Sequence, residues 1–119
     1  FRMNFFALLV AGVLAMITAV GHGYFGDQML ARQPIEPKTL KTFIRFCYQF
    51  GSAGWLAGAV LLLIAPATMS QETQLWLVGV LLLLYGFGAG VNFWFTKGRH
   101  PGWVLLAGVI LFAAVGVWY

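Results

Sequence analysis

The chain has 119 residues, of which 61% are hydrophobic and only 8% are charged. A soluble domain carries about 25% charged residues, so this composition excludes an ordinary water-soluble globule and predicts an integral membrane protein. One membrane-spanning helix needs about 20 apolar residues. Four such helices would use about 80 residues and leave only short connections. We therefore predict a single transmembrane domain over residues 1–119.

The net charge of +4 rests on seven Lys and Arg residues, which lie near the ends of the predicted spans. Membrane topology alone explains that distribution, so nucleic acid is not expected as a partner. The single cysteine, Cys47, lies in an apolar run. We predict that it is a small buried hydrophobic residue.

Four apolar segments follow one another along the chain. The predicted spans are residues 3–23, 42–65, 73–95 and 102–119. The fold class that follows is all-α, an integral membrane four-helix bundle with antiparallel up-and-down topology, because short connections make consecutive helices neighbours. Both termini then share one side of the membrane. The second span is expected to stop at Pro66.

The connections between the spans contain prolines and capping residues. Pro34 and Pro37 argue against a continuous helix through the polar connection 24–41, where we predict at most a short interfacial turn. In the turn before the third span, Thr68 or Ser70 is expected to cap the helix, because a hydroxyl oxygen there can accept an orphan backbone N–H.

Basic residues are distributed unevenly between the two ends of the predicted bundle. Arg2 alone falls at one end, and the opposite end holds Arg32, Lys38, Lys41, Arg45, Lys97 and Arg99. Short loops rich in Lys and Arg stay in the cytoplasm. We therefore expect the connections 24–41 and 96–101 to be cytoplasmic and both termini to lie on the non-cytoplasmic side.

Small residues recur at helical spacing in the first three spans and predict close helix contacts. Lipid supplies no hydrophobic drive between helices, so close backbone approach must provide much of the attraction. The contacts are expected either within the monomer or on another subunit. The predicted packing positions are the alanines Ala11 and Ala15 and the GxxxG glycines Gly54, Gly58, Gly86 and Gly90.

Polar side chains gather at the predicted cytoplasmic ends of three spans. Arg45, Gln49 and Ser52 share one face of the second span because they follow i, i+4, i+7 spacing. His22 closes the first span, and Asn92 lies near the end of the third. Two interpretations stay open. The five side chains pair and lock the helices while Arg45 extends to lipid headgroups, or they form a pocket for a headgroup, a proton or a small ligand.

The residue types present offer little for catalysis. The three acids, Asp27, Glu36 and Glu72, fall in predicted loops, and neither paired carboxylates nor a nucleophile–base arrangement can be assembled. The sequence therefore leans against an enzyme. His22 could ligate a haem or a chlorophyll-type pigment, but His100 lies in a hydrated loop. We predict no cofactor and no metal, and keep a haem- or pigment-binding subunit as a second alternative.

Three motifs occur along the chain: H-G-Y-F-G-D at residues 22–27, R-F-C-Y-Q-F-G-S-A-G-W at residues 45–55 and G-R-H-P-G-W at residues 98–103. Together they resemble a group of small four-span bacterial inner-membrane proteins that are generally described only as uncharacterised. The resemblance implies a multi-pass location in the bacterial inner membrane and implies no activity. This chain departs from the group in having Tyr48 and Gln49 where a Trp-His pair is expected.

The function expected from these features is that of a non-catalytic accessory or scaffolding subunit. Its partners would be the lipid bilayer and other membrane-protein subunits or a second copy of the chain, because glycine and alanine faces favour helix association in lipid. The alternative is a small transporter, channel or lipid-handling protein that uses the polar cluster at the cytoplasmic end.

Overall fold

The computed structural model describes residues 4–118, and within that range the protein is all-α. Four helices follow in order: α1 (Phe5–Arg32), α2 (Lys38–Thr68), α3 (Gln71–Thr96) and α4 (Gly102–Trp118). In this described part of the chain, α1, α2 and α3 are long and apolar enough to cross a membrane, whereas α4 is a shorter apolar helix. The predicted all-α class is confirmed, and the helices are compatible with a membrane bundle. Residues 1–3 and 119, which include Arg2 and the outer ends of two predicted spans, lie outside the described residues.

Helix α1 is longer than its predicted span. Its first turn is capped by Asn4, whose side-chain oxygen accepts the N–H of Ala7 at 3.1 Å. The helix then continues past Gly23 to Arg32, so the first half of the predicted polar connection is part of α1. The physical reason is that no proline lies before Pro34, so nothing in residues 24–32 removes a backbone donor.

Helix α2 begins earlier and ends later than predicted. It starts at Lys38, directly after Pro37, and it passes through Pro66 to Thr68. The expectation that Pro66 ends the second span is wrong. A proline is tolerated in a membrane helix, and here it lies in the last turn of α2, where it removes only the N–H that would have bonded the carbonyl of Leu62.

The turns around α3 follow ordinary capping chemistry. Ser70 is the N-cap, as predicted, and its hydroxyl oxygen accepts the N–H of Thr73 at 3.2 Å. Glu72 lies in the first turn, where a carboxylate interacts favourably with the helix dipole. At the other end Lys97 and Gly98 adopt left-handed backbone conformations with φ of 53° and 74°, which turns the chain toward α4.

The core lies between all four helices, but they do not pack equally closely. Helix α1 packs along α2 and α4, and α4 packs along α3, whereas α2 and α3 touch least. Helices α1 and α2 are antiparallel. Gly12 in the first half of α1 lies against Leu63 near the end of α2, and Asp27 near the end of α1 lies against Arg45 near the start of α2. Buried members of the core include Leu8, Ala11, Ala15, Ala59, Leu62, Tyr85, Leu106 and Val109.

Candidate functional site

An ion pair joins α1 to α2 near the Pro34 connection. Arg45 donates from Nε and Nη2 to the two carboxylate oxygens of Asp27, each at 2.8 Å. This bidentate geometry is the strong form of the interaction. The sequence interpretation of Arg45 as a headgroup contact did not include Asp27, because that acid was assigned to a loop. The signal that could have found it is the absence of a proline between His22 and Asp27.

Gln49 crosses to the backbone of α1 one turn further along α2. Its Nε2 donates to the carbonyl oxygen of Gly23 at 2.9 Å. A Cβ at Gly23 would lie 3.1 Å from Oε1 of Gln49, closer than such contacts normally come. The missing side chain at residue 23 therefore lets the amide reach the buried backbone of α1.

His22 and Ser52 form the next link between the same two helices. Nδ1 of His22 lies 2.6 Å from Oγ of Ser52, and Ser52 is buried. The Ser52 hydroxyl also lies 3.3 Å from the carbonyl oxygen of Tyr48. Which atom donates depends on the histidine tautomer, but in either case the imidazole is held by a buried hydroxyl.

Aromatic rings enclose the His22 imidazole. The Tyr48 ring stacks on it with 4.1 Å between centroids and 8° between planes, and the Trp55 ring lies 4.6 Å away. Trp55 also links this group to α3, because its carbonyl oxygen accepts a hydrogen bond from the Tyr85 hydroxyl at 2.7 Å. Sequence reasoning missed these aromatic residues as part of the site. The i, i+7 spacing of Tyr48 and Trp55, with Ser52 between them, was the available signal.

Asn92 does not join these residues. Its Oδ1 accepts the backbone N–H of Trp103 at 3.1 Å, and its Nδ2 lies 3.4 Å from Nδ1 of His100. These bonds close the turn between α3 and α4. The predicted polar residues therefore lie in two separate places, four between α1 and α2 and Asn92 at the turn from α3 to α4. We use the name α1–α2 cluster for His22, Asp27, Arg45, Gln49 and Ser52, and the name α3–α4 turn for Asn92, His100 and Trp103.

An open groove runs along the outside of the α1–α2 cluster. It has a volume of ≈ 680 Å³, and a second hollow of ≈ 220 Å³ beside Arg45 shares Asp27 and Gln49 with it. The lining is apolar at the end that lies deeper in the predicted spans and polar at the other. In order along that gradient it includes Leu56, Ala53, Val20, Ala19, Ser52, Gln49, Tyr24, Gln28 and Asp27.

The predicted GxxxG glycines differ in what lies next to them. A Cβ at Gly58 would lie 2.7 Å from the Tyr85 hydroxyl, so this glycine permits the close contact of α2 with α3. A Cβ at Gly86 would meet α4 only at the ordinary distance of 3.8 Å. Nothing lies within 4 Å of the Cβ positions of Gly54 and Gly90. One member of each GxxxG pair therefore has an open Cβ position in the described part of the chain.

Cys47 is exposed, so the prediction that it is buried is wrong. It lies on the outward face of α2 beside the exposed side chains of Phe43, Phe46 and Phe50. An apolar run in a membrane helix does not by itself distinguish a core-facing from a lipid-facing residue, because both surroundings are apolar.

Comparison with known proteins found no match: no family model, no curated protein and no solved structure matches this chain.

Proposed function

We propose that this chain is a small integral membrane protein that acts as a non-catalytic accessory or scaffolding subunit. In this role it packs against another membrane protein or against a second copy of itself. The observation that carries the proposal is a row of exposed small residues on α2, namely Gly51, Gly54 and Ala57. Nothing lies within 4 Å of the Cβ positions of the two glycines.

This row continues the face that α2 turns toward α3. Gly54 precedes Gly58 by one helical turn, and Gly58 lies against Tyr85. Since α2 and α3 touch least of all neighbouring helices, Gly51 and Gly54 line an opening on that side of the bundle. Small residues at such a place allow the backbone of another helix to approach closely, which favours association in lipid.

The α1–α2 cluster supports a structural role for the polar residues. Each side chain of the cluster is bonded to another member or to backbone of the facing helix, so the cluster locks α1 to α2. A transporter or channel that used the predicted polar residues would need one cavity that reaches Arg45, Gln49 and Asn92. The geometry favours this alternative less, because Asn92 belongs to the α3–α4 turn.

We also propose four spans in a bacterial inner membrane, with the start of α1 and the end of α4 on the outer side. The basic residues support this orientation. Arg32 and Lys38 flank the connection between α1 and α2, and Lys97 and Arg99 lie between α3 and α4. Positively charged short loops of this kind remain in the cytoplasm.

Purification from the native membrane in a mild detergent tests the accessory role. The unaltered protein is expected to bring down a stoichiometric membrane partner or to run as a dimer. Gly54→Leu places a bulky side chain where nothing lies within 4 Å. This variant is expected to lose the partner while its helicity and thermal unfolding stay unchanged.

Gly79→Leu is the matched control. Its Cβ position is equally open, but it lies beside the large exposed side chains of Trp76, Val80 and Leu83, where lipid contact is expected. This variant should keep the partner. A monodisperse lone monomer from native membranes, or a Gly54→Leu protein that still co-purifies with its partner, would overturn the proposal.

A further inference from the structure

The groove beside the α1–α2 cluster combines an apolar trough with a charged end. At the apolar end it is lined by Leu56, Ala53 and Val20, and at the polar end by Gln28 and Asp27. Its volume of ≈ 680 Å³ lies within the range of about 300–1,000 Å³ that small-molecule sites occupy. A molecule that fits such a gradient is amphiphilic.

The length of the groove corresponds to one leaflet of a bilayer. From Arg45 to Leu56, α2 rises about 16 Å at 1.5 Å per residue, and half of a hydrocarbon core is about 15 Å. Beyond Leu56 the groove closes. There α1 and α2 come so near that a Cβ at Gly12 would lie 2.7 Å from the Leu63 side chain and 3.2 Å from its backbone nitrogen. An acyl chain of one leaflet therefore fits, and a longer straight ligand does not.

The charged end favours an anion. The segment from Asp27 to Arg45 contains four basic residues and two acidic ones, so it remains cationic after Asp27 has paired with Arg45. That pair uses Nε and Nη2 of the guanidinium. The two N–H donors on Nη1 can bond a further acceptor, such as a phosphate oxygen. Lys38 and Lys41 precede Arg45 by two turns and one turn on the same face of α2.

Two more donors lie in the polar half of the groove. Tyr24 and Gln28 are exposed and line the groove, and a hydroxyl and a carboxamide can both donate to ester oxygens. A polar group that faces lipid costs free energy unless it has a partner. The glycerol esters of a phospholipid lie at the required depth, between the phosphate and the acyl chain.

From these observations we propose that the groove between α1 and α2 binds one anionic phospholipid. Its phosphate lies beside Arg45 and Lys41, its ester oxygens accept from Tyr24 and Gln28, and one acyl chain lies against Ala53 and Leu56. This inference is independent of the accessory role, because the two glycines that carry that proposal, Gly51 and Gly54, do not line the groove.

Native mass spectrometry of the delipidated protein tests the inference. It is titrated with phosphatidylglycerol and, separately, with phosphatidylcholine of the same acyl chains. We expect a single phosphatidylglycerol adduct per chain, bound about tenfold more tightly than phosphatidylcholine, as one or two basic residues at an anionic surface would produce. Equal binding of the two lipids, or several equivalent adducts of each, would overturn the proposal.

Two variants test where the lipid lies. Ala53→Phe fills the trough from an exposed position and is expected to abolish the tight adduct. Gly51→Phe is the matched control and should retain it, because Gly51 is two residues from Ala53, faces the other way on α2 and has an open Cβ position. A variant with both Lys38→Gln and Lys41→Gln removes two positive charges and keeps the Asp27–Arg45 pair, and it should lose most of the preference for the anionic lipid.

The variants also separate this inference from the accessory role. Ala53→Phe should lose the lipid and keep the protein partner, and Gly54→Leu should lose the partner and keep the lipid. If Ala53→Phe binds phosphatidylglycerol as tightly as the unaltered protein does, the groove is not the site.

Discussion

Two glycines of α1 allow the side chains of α2 to reach the α1–α2 cluster. Gly23 exposes the carbonyl that accepts from Gln49, and Gly26 leaves the space that the Tyr48 ring occupies. With that ring in place, Tyr48 stacks on His22. At the scale of single residues, therefore, the arrangement depends as much on absent side chains as on the polar groups themselves.

Gly26→Ala tests this dependence. An added Cβ would overlap the Tyr48 ring, so the ring must move and the stack on His22 must open. Overpacking of this kind costs about 1–3 kcal/mol, and we expect a lower midpoint of thermal unfolding in detergent. Gly21→Ala is the control, because nothing lies within 4 Å of that Cβ position. Equal unfolding midpoints for the two variants would contradict the role assigned to Gly26.

The polar residues show what a sequence can reveal at this scale. Spacing is sufficient to place Arg45, Gln49 and Ser52 on one face of a helix. It does not identify their partners, because those depend on the axial register of α1 against α2. That register follows from close contacts such as Gly12 with Leu63, which only the folded chain contains.

At the scale of elements, α1 and α2 are longer than a bilayer requires. They contain 28 and 31 residues, or about 42 and 46 Å at 1.5 Å per residue, against about 30 Å of hydrocarbon. The apolar runs alone predict the presence of each helix. The helix ends were misjudged, because a polar residue such as Asp27 indicates a loop until its partner Arg45 on the next helix is known.

The contact between α2 and α3 rests on Gly58. Gly58→Ala would place a Cβ 2.7 Å from the Tyr85 hydroxyl and 2.9 Å from the Leu81 side chain. We expect the bond from Tyr85 to the Trp55 carbonyl to break. Backbone amides of α3 around Tyr85 should then exchange with deuterium faster than in the unaltered protein, because local opening becomes less costly.

Gly54→Ala is the control for this experiment, since it changes the other glycine of the same GxxxG pair at an open position. Its exchange should match that of the unaltered protein or be slower, because alanine favours a helix over glycine by about 1 kcal/mol. Faster exchange in Gly54→Ala than in Gly58→Ala would show that the α2–α3 contact has been assigned to the wrong residue.

At the scale of the whole molecule, the proposed orientation makes a prediction about accessibility. In a Cys47→Ser background, a cysteine at Gln33 should react with an impermeant thiol reagent only after the membrane is opened. A cysteine at Glu72, in the first turn of α3, should react from outside intact cells. The reason is that Gln33 and Glu72 lie beyond opposite ends of α2, so a membrane-spanning α2 places them on opposite sides of the membrane. Labelling of both from the same side would contradict the four-span arrangement.

Most of the polar bonds described between helices lie within two helical hairpins. Those of the α1–α2 cluster join α1 to α2, and those of Asn92 join α3 to α4. During biogenesis, an α1–α2 hairpin that leaves the translocation machinery as a unit would carry Asp27 and Arg45 into the bilayer as a neutral pair, which avoids the cost of inserting either charge alone. We expect the chain to assemble hairpin by hairpin, with the contacts of α1 on α4 and of α2 on α3 formed when the hairpins meet.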